Sequence, residues 1–500
     1  MKFISTILLL FCCQISVSQT EETFKLNEQF YVFGDSKVIG NNILSKHKRK
    51  SFNKKNVTND EVKMKYIDID KDKNTFSSSQ ATLKLPATTK KIVSATLYWS
   101  SIYSFTRGVK KRKGNRVLYE GNNKRDSIIN KIKFKTPNST YQNIEGIILQ
   151  DKFKKSKYSD NAPYVCYADV TAIIKESKNQ NGIYTVANIR ATQGYTSGGS
   201  SGGWLLYVVF ETATETPVYI STYHGLVTVQ KKPLNLKLKD FKTVTKGIVK
   251  TSLTLAVLEG DRSIEEDQCL IYNKTKEAFI PLENDLRSEK NFFNSSITIN
   301  NKNFKDRVPN SINNLGFDIV EIDLPNKNNE LIANDETSVL LRLKSKTDRF
   351  HLFFAAFKTE LEDNFYRSKK EALTFKKRIP ELTITNTAID TAIDEVEDTE
   401  EEEEEEEELS IYKNITIVGM KPGYYIVSNV FSKPSFAKNW ISFLKDKSHK
   451  AKTFVNPKNQ WHYISIFNSL DKNNVELNLE KLRKNKYLKG LWIQKINLAL

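Results

Sequence analysis

The sequence predicts a mainly β body, a sandwich or jelly-roll-like unit or two sandwiches in tandem, followed by a small α+β domain. Three observations predict it. Short runs of β-branched and aromatic residues recur through residues 20 to 362 with hardly a convincing helix among them. A dense acidic block follows. The last eighty or so residues then switch between strand and helix periodicity. With 500 residues and 39% hydrophobic content, the chain is long enough for at least two cores.

In chain order, Met1 to Ser18 carries one Lys2, an apolar run from Phe3 to Cys13, and small Ser16 and Ser18 before Gln19. This is the pattern of a secretory signal peptide (residues 1–18), too short to span a membrane. Phe11 stands where a lipoprotein signal needs a small residue, so lipidation is not expected. No later stretch reaches eighteen apolar residues, so the expectation is an exported chain, soluble or peripherally attached, with no transmembrane segment. Cys166 and Cys269 remain after cleavage; they pair, or they pack as lone buried thiols, and the residues leave both open. There is no CxxC or Cys/His cluster for zinc.

The body spans residues 19–362. Strand-like runs are Ala81 to Leu85, Ile92 to Trp99, Tyr184 to Ile189, Trp204 to Phe210, Pro217 to Thr222, Ser252 to Leu258, Phe317 to Ile322, Ser338 to Leu343 and His351 to Phe357. Ser197 to Gly203 (SGGSSGG) reads as a mobile loop feeding the buried strand at Trp204. His224, before Gly225, reads as a turn residue.

Chemistry is sparse here. Asp68, Asp70 and Asp72 alternate like calcium-loop ligands, but Lys73 replaces the turn glycine and Ser79 the closing glutamate, so a solvated hairpin is preferred. Glu259-Gly260-Asp261 could donate carboxylates at the end of an apolar strand, but a turn is the preferred account. The five histidines have no partner spacing, and no nucleophile–base or paired-carboxylate constellation is present, so no enzyme and no cofactor are expected.

Charge locates the boundaries. Residues 19 to 380 carry +20, residues 381 to 410 carry −15 and residues 411 to 500 carry +12, within a net +18. The negative block ends in the glutamate run Glu400 to Glu408, which repels itself and extends, so residues 363–410 read as a flexible acidic linker between two basic domains. The basic charge suits anionic envelope polymers. Export, and the absence of a K/R-G-F/Y-G/A-F run, argue against nucleic acid.

Residues 411–500 form the terminal domain. Tyr424 to Phe431 (YYIVSNVF) alternates as a strand, Ser435 to Lys447 has helical spacing, and Ala451 to Asn456 is a short strand. The pattern then repeats with Trp461 to Phe467, Val475 to Arg483 and Leu491 to Ile496. This βαββαβ order predicts a four-stranded antiparallel sheet with two helices on one face. Strand parity places Ile426, Ile464, Ile466, Leu491 and Ile493 inward. It leaves Tyr425, Val427, Asn429, Trp461, Tyr463, Trp492 and Gln494 on the open face, an aromatic excess that reads as a ligand surface.

The order of elements, the YYIV-x-x-x-F opening with Pro434 and Ala437, and the aromatic third strand resemble a SPOR domain, the bacterial module that binds peptidoglycan glycan strands stripped of their stem peptides. The resemblance covers about a sixth of the chain. It implies glycan contacts at Val427 and Val430, at Trp461 and Tyr463, and at Trp492. Val430 has the wrong parity for the open face unless the strand bends at Asn429, where the family has glycine and asparagine tolerates positive φ. Val427 stands where the family usually has a polar residue, often glutamine, which bears on affinity more than on fold.

In the body, FSSSQATLKLP, ATLYWS, YADVTAII, NGIYTVANI, GGWLLYVVFE and LEGD resemble a β-rich module of large secreted and surface proteins of Bacteroidetes. That resemblance implies an exported envelope or surface module. The combined expectation is a non-enzymatic envelope protein of the periplasm that docks on denuded glycan strands and presents its body to another envelope protein or polysaccharide. The alternative is a cell-surface adhesin whose body binds a carbohydrate or protein ligand, with the tail as an anchor.

Overall fold

The computed structural model describes residues 24–378 apart from 115, 123, 154–160 and 347, and residues 412–497 apart from 417–419, 421, 432–433, 448, 457–460, 484, 486–487 and 489–490. The expected signal peptide and the glutamate run lie outside the described residues. The chain divides into two compact units, one up to residue 383 and one from residue 384.

The first unit is a stack of four sheets. One outer sheet aligns Gln142–Glu145, Lys131–Lys135, Gly182–Ala187, Ser78–Leu83 and Arg307–Val308; the inner sheet beneath it aligns Ile147–Asp151, Pro163–Asp169, Thr89–Ile102, Gly202–Thr212 and Gly34–Asn42. A second inner sheet aligns Phe24–Val32, Val218–Val229, Phe350–Glu360, Thr251–Gly260, Gly316–Asp323, Ile297–Ile299 and Lys302–Asn303. The second outer sheet aligns Leu234–Lys239, Ser338–Lys344, Gln268–Asn273 and Ala278–Pro281.

Three cores fill the spaces between the layers. Trp99, Trp204, Leu206 and Phe134 pack between the first outer and inner sheets. Leu253, Leu255, Phe357 and Leu341 pack between the second pair. Leu205, Tyr207, Phe317 and Phe354 join the two inner sheets face to face. The body is therefore two sandwiches sharing a central interface. An inner strand buried on both faces has no polar side, which is why Trp204 to Phe210 is an unbroken apolar run. Gly40 and Gly203 permit the close approach of the inner sheets: a Cβ on either would stand 2.5 Å from Ile319 or from the Phe317 ring.

The two sandwiches exchange edge strands. Phe24–Val32, from the start of the described chain, pairs with Val218–Val229 in the second sandwich, while Arg307–Val308 pairs with Ser78–Leu83 in the first.

Several expectations need correction. His224 is not in a turn: it lies within Val218–Val229, buried, with its Nδ1 3.2 Å from the Tyr98 hydroxyl, and Gly225 (φ +142°) marks a bulge where the register slips. Glu259 is likewise a bulge residue inside Thr251–Gly260. The Ser197 to Gly203 loop is pinned, with Ser200 donating to the Thr192 carbonyl (2.7 Å) and Ser201 to the Glu259 carboxylate. Cys166 and Cys269 are both free and buried, each in a different core, so the pairing alternative falls. Residues read as the start of the linker form a helix, Asp363–Arg378, whose Phe365 and Tyr366 pack on Tyr31 and Phe33.

The second unit contains the antiparallel strands Trp492–Asn497, Gly423–Phe431, Trp461–Ser469 and Lys452–Asn456, in that order. A fifth strand, Tyr412–Thr416, extends the sheet in parallel beside Trp492–Asn497, so the expected four strands are five. The helix Pro434–Asp446 opens on proline, whose missing N–H costs nothing at a first helical position. It presents Ala437, Trp440, Ile441 and Leu444 to the sheet, and Lys472–Arg483 presents Val475, Leu479 and Leu482. All five residues expected inward meet this helical layer: Ile426, Ile464, Leu491 and Ile493 in the core, Ile466 packed against it.

Candidate functional site

The face of the terminal sheet away from the helices carries a second apolar group: Tyr425, Val427, Phe454 and Ile496, with Met420, Val430, Tyr463 and Trp492 packed against it. The strand register fixes how they lie. Asn456 sits opposite Trp461; Phe454, Tyr463 and Val430 form the next row; Lys452, Ser465, Val427 and Trp492 the row after; Asn468, Tyr425 and Gln494 the last. Trp461 and Tyr463, two residues apart on one strand, are about 7 Å apart along it.

Val430 joins this face through a bulge. The register slips between Val427 and Asn429, so that Asn429 stands opposite Ile464 and Val430 opposite Tyr463. The slip supplies the bend without a positive φ at Asn429, whose Oδ1 accepts a hydrogen bond from the Val430 N–H at 2.9 Å. The same bend moves Asn429 itself off the face on which simple alternation places it, so its expected position there is corrected.

The residues differ in what they offer a ligand. Trp461 is 47% exposed, and Tyr463, Val430 and Trp492 are half-buried. Tyr425, Val427 and Gln494 lie on the expected face but are buried among their neighbours, so they form its floor. Burial pushes the Tyr425 hydroxyl above its ordinary pKa.

Sequence reasoning missed several members, Phe454 and Asn456 among them. Phe454 stacks on Tyr463, with ring centroids 5.4 Å apart and an interplanar angle of 23°, and meets Tyr425 edge-on at 6.0 Å. Asn456 donates to the Tyr463 hydroxyl at 3.2 Å. Alternation within Ala451 to Asn456 was the signal for both. The arrangement is an aromatic floor with one projecting indole and polar Asn456, Ser465 and Asn468 along it. Flat rings of this kind pack on the apolar faces of sugars, and amides and hydroxyls answer their hydroxyl groups.

In the body, Asp68, Asp70 and Asp72 do not form a calcium loop. Asp70 accepts hydrogen bonds from the Asp72 N–H (3.1 Å), the Thr75 hydroxyl (3.0 Å) and the Tyr141 hydroxyl. Burial would raise its carboxyl, but these bonds together with that of Ser78 outweigh it and hold the pKa below the usual value. Asp68 pairs with Arg49 at 3.7 Å, and Asp72 accepts from the Asn74 N–H at 2.8 Å. The aspartates close a turn on itself. Among the described residues, no three His, Cys, Asp or Glu side chains stand as a preformed metal cage, and no helix is long and apolar enough to cross a membrane.

Comparison with family models and with characterised proteins finds no match. Among solved structures, the major capsid protein P2 from bacteriophage PM2 is similar over 57% of this chain and 99% of that one, at 7% identity and a TM-score of 0.17. At that score the likeness carries no argument, and what the molecule does rests on its own geometry.

Proposed function

We propose that the chain is a non-enzymatic envelope protein whose terminal unit binds glycan strands of peptidoglycan stripped of their peptides. The observation that carries the reading is the aromatic face itself: Trp461, Tyr463 and Trp492 on the sheet surface away from both helices, over a floor of Tyr425, Val427 and Phe454. The resemblance of this segment to SPOR domains supports the same ligand. In this reading Trp461 and Trp492 stack on sugar rings while the exposed Asn468 meets hydroxyls, and the signal-like start of the chain delivers the protein to the envelope.

Sedimentation of the full chain with sacculi tests this. The expected result is cosedimentation with amidase-stripped sacculi, none with untreated sacculi, and loss of binding in the Trp461→Ala/Trp492→Ala double variant. Equal binding to both preparations, or to neither, defeats the reading.

One observation favours a second reading, in which the body binds a surface carbohydrate or protein and the tail serves as anchor. A cleft of about 740 Å³ is lined by Lys37, Asn300, Lys302, Asn303, Phe304 and Lys305. Protection of these lysines from acetylation by an added anionic polysaccharide would favour it over the first.

A further inference from the structure

A different pocket, of about 180 Å³, lies where the strand Thr251–Gly260 ends; Asn59, Asp60, Glu259, Asp261, Asp348 and Arg349 are among its walls. Unlike Asp70, several acidic groups at and beside it have buried oxygens without donors. Asp261 is 9% exposed and its Oδ1 has no hydrogen-bond partner. Asp267 is 0% exposed and neither carboxyl oxygen has a well-formed hydrogen bond; the Ser345 hydroxyl, which donates to the Asp348 carbonyl at 2.9 Å, lies near enough to lower its pKa. Asp348 Oδ2 and Asn291 Oδ1 are also buried without a donor.

The backbone brings these groups together. Asp267 and Asn291 form a parallel bridge, with the Phe292 N–H donating to the Asp267 carbonyl at 2.8 Å. The Asn291 side-chain nitrogen donates to the carbonyls of Asp261 and Arg262, both at 3.0 Å, which leaves its oxygen as the free end of the amide. Glu259, by contrast, is satisfied, accepting from Ser201 and from Asn59 (3.0 Å).

Five buried acceptor oxygens on four neighbouring side chains are costly, because each forfeits its hydration without replacement. A hard cation supplies what they lack. We propose that Asp261, Asp267 and Asp348, with the Asn291 side-chain oxygen, form a binding site for a divalent cation of the calcium type. The donor set is all oxygen and holds no thiol or imidazole, which suits calcium rather than zinc or copper. Calcium accepts six to eight oxygens in loose geometry and completes its shell with water, so side-chain rotation toward the ion suffices and a preformed cage is not required.

Burial raises Asp261 well above the usual carboxyl range, and the charges of Glu259, Asp348, Asp60 and Asp267 add to it. Burial also pushes Asp267 up to about 8 against the Ser345 hydroxyl, and Asp348 up to about 6 against the backbone N–H and the charge of Arg349. A bound divalent ion reverses that preference and holds the carboxylates ionised.

The test uses the purified full chain, stripped with a chelator and melted in calcium chloride at increasing concentration, with magnesium chloride as comparator. Calcium is expected to raise the melting temperature of the body, and magnesium to do so less. Asp261→Asn and Asp348→Asn should weaken the calcium response by more than the roughly 10-fold that loss of even a supporting contact costs a metal site. Asp70→Asn should leave it unchanged. In chelator, Asp261→Asn should melt no lower than the parent, since the amide keeps the shape and brings N–H donors to a cluster of unpaired acceptors. A body indifferent to calcium overturns the proposal, as does an equal response to magnesium, or a calcium response that survives both variants and so belongs elsewhere, such as the glutamate run.

Discussion

The guanidinium of Arg287 lies 3.0 Å from the carboxylate of Asp318, and both side chains are completely enclosed. Every donor of the arginine is used: Nε to Thr298 (2.8 Å), Nη1 to Asp318 and to the Phe292 carbonyl (2.6 Å), Nη2 to the carbonyls of Ser296 (2.9 Å) and Ile319 (3.2 Å). Asp318 in turn accepts from the backbone of Ser295 and Ser296. Removing one partner strands the other's charge, so Arg287→Met should cost about 3–5 kcal/mol, measured by urea denaturation. A loss below about 1 kcal/mol would mean the pair adds little beyond its packing.

His224 makes the body acid-sensitive. Burial, with the Lys25 charge beside it, pushes its pKa down to about 4. An unfolded histidine takes its proton near 6.5, so the unfolded chain is protonated first and this contribution to stability drains away as pH falls from about 6.5 toward 4. His224→Phe keeps a ring against Tyr98 and Tyr167 but cannot titrate. Between pH 7 and pH 5 the parent should lose more melting temperature than this variant; equal losses would remove His224 as a cause.

The terminal face should separate stability from binding. Phe454→Ala removes a buried stacked ring and is expected to cost about 3 kcal/mol. Trp461, nearly half exposed, should cost less than about 1 kcal/mol as Trp461→Ala. Circular dichroism melts of the full chain decide it. If Trp461→Ala unfolds the unit, its indole is structural and the face loses its projecting ring.

The two body thiols should be silent. Burial raises both, Cys166 further through Asp151 and against Arg125, and Cys269 against Arg287. Neither is expected to react with an aromatic disulfide reagent in native buffer, and both should react in denaturant. Fast native labelling, or a mobility change on reduction, would contradict the free, enclosed pair.

Legibility followed burial. All nine body strands read from the sequence are strands in the structure: the six of the inner sheets are covered on both faces and give apolar runs, and the three of the outer sheets, within Ser78–Leu83, Gly182–Ala187 and Ser338–Lys344, carry apolar residues on their covered face. Arg107–Lys113 and Arg116–Asn122, a lysine-rich exposed hairpin, gave no such signal. Tyr412–Thr416 escaped notice because a five-residue polar stretch becomes a strand only through its parallel partner. At the terminal face, parity was readable and the bulge at Asn429 was not fixed by it; nor could alternation show that Val427 and Gln494 would be covered. Asp70, at the centre of the aspartates that looked most like ligands, is saturated with donors. Asp261 stood in a segment read as able to donate carboxylates, whereas Asp267 carried no signal in the sequence and is marked only by its unpaired buried oxygens.

The exchange of edge strands between the two sandwiches forbids dividing the body at the connection near residue 215. An amino-terminal half would carry Phe24–Val32 as an orphan and leave Ser78–Leu83 with one flank bare; the complementary half would have the converse defects. Cloning boundaries drawn there should yield sticky, insoluble pieces. Closure of the outermost strand of the second sandwich draws together segments nearly two hundred positions apart, so assembly of the whole is slow and all-or-none, with no shortcut through a folded half.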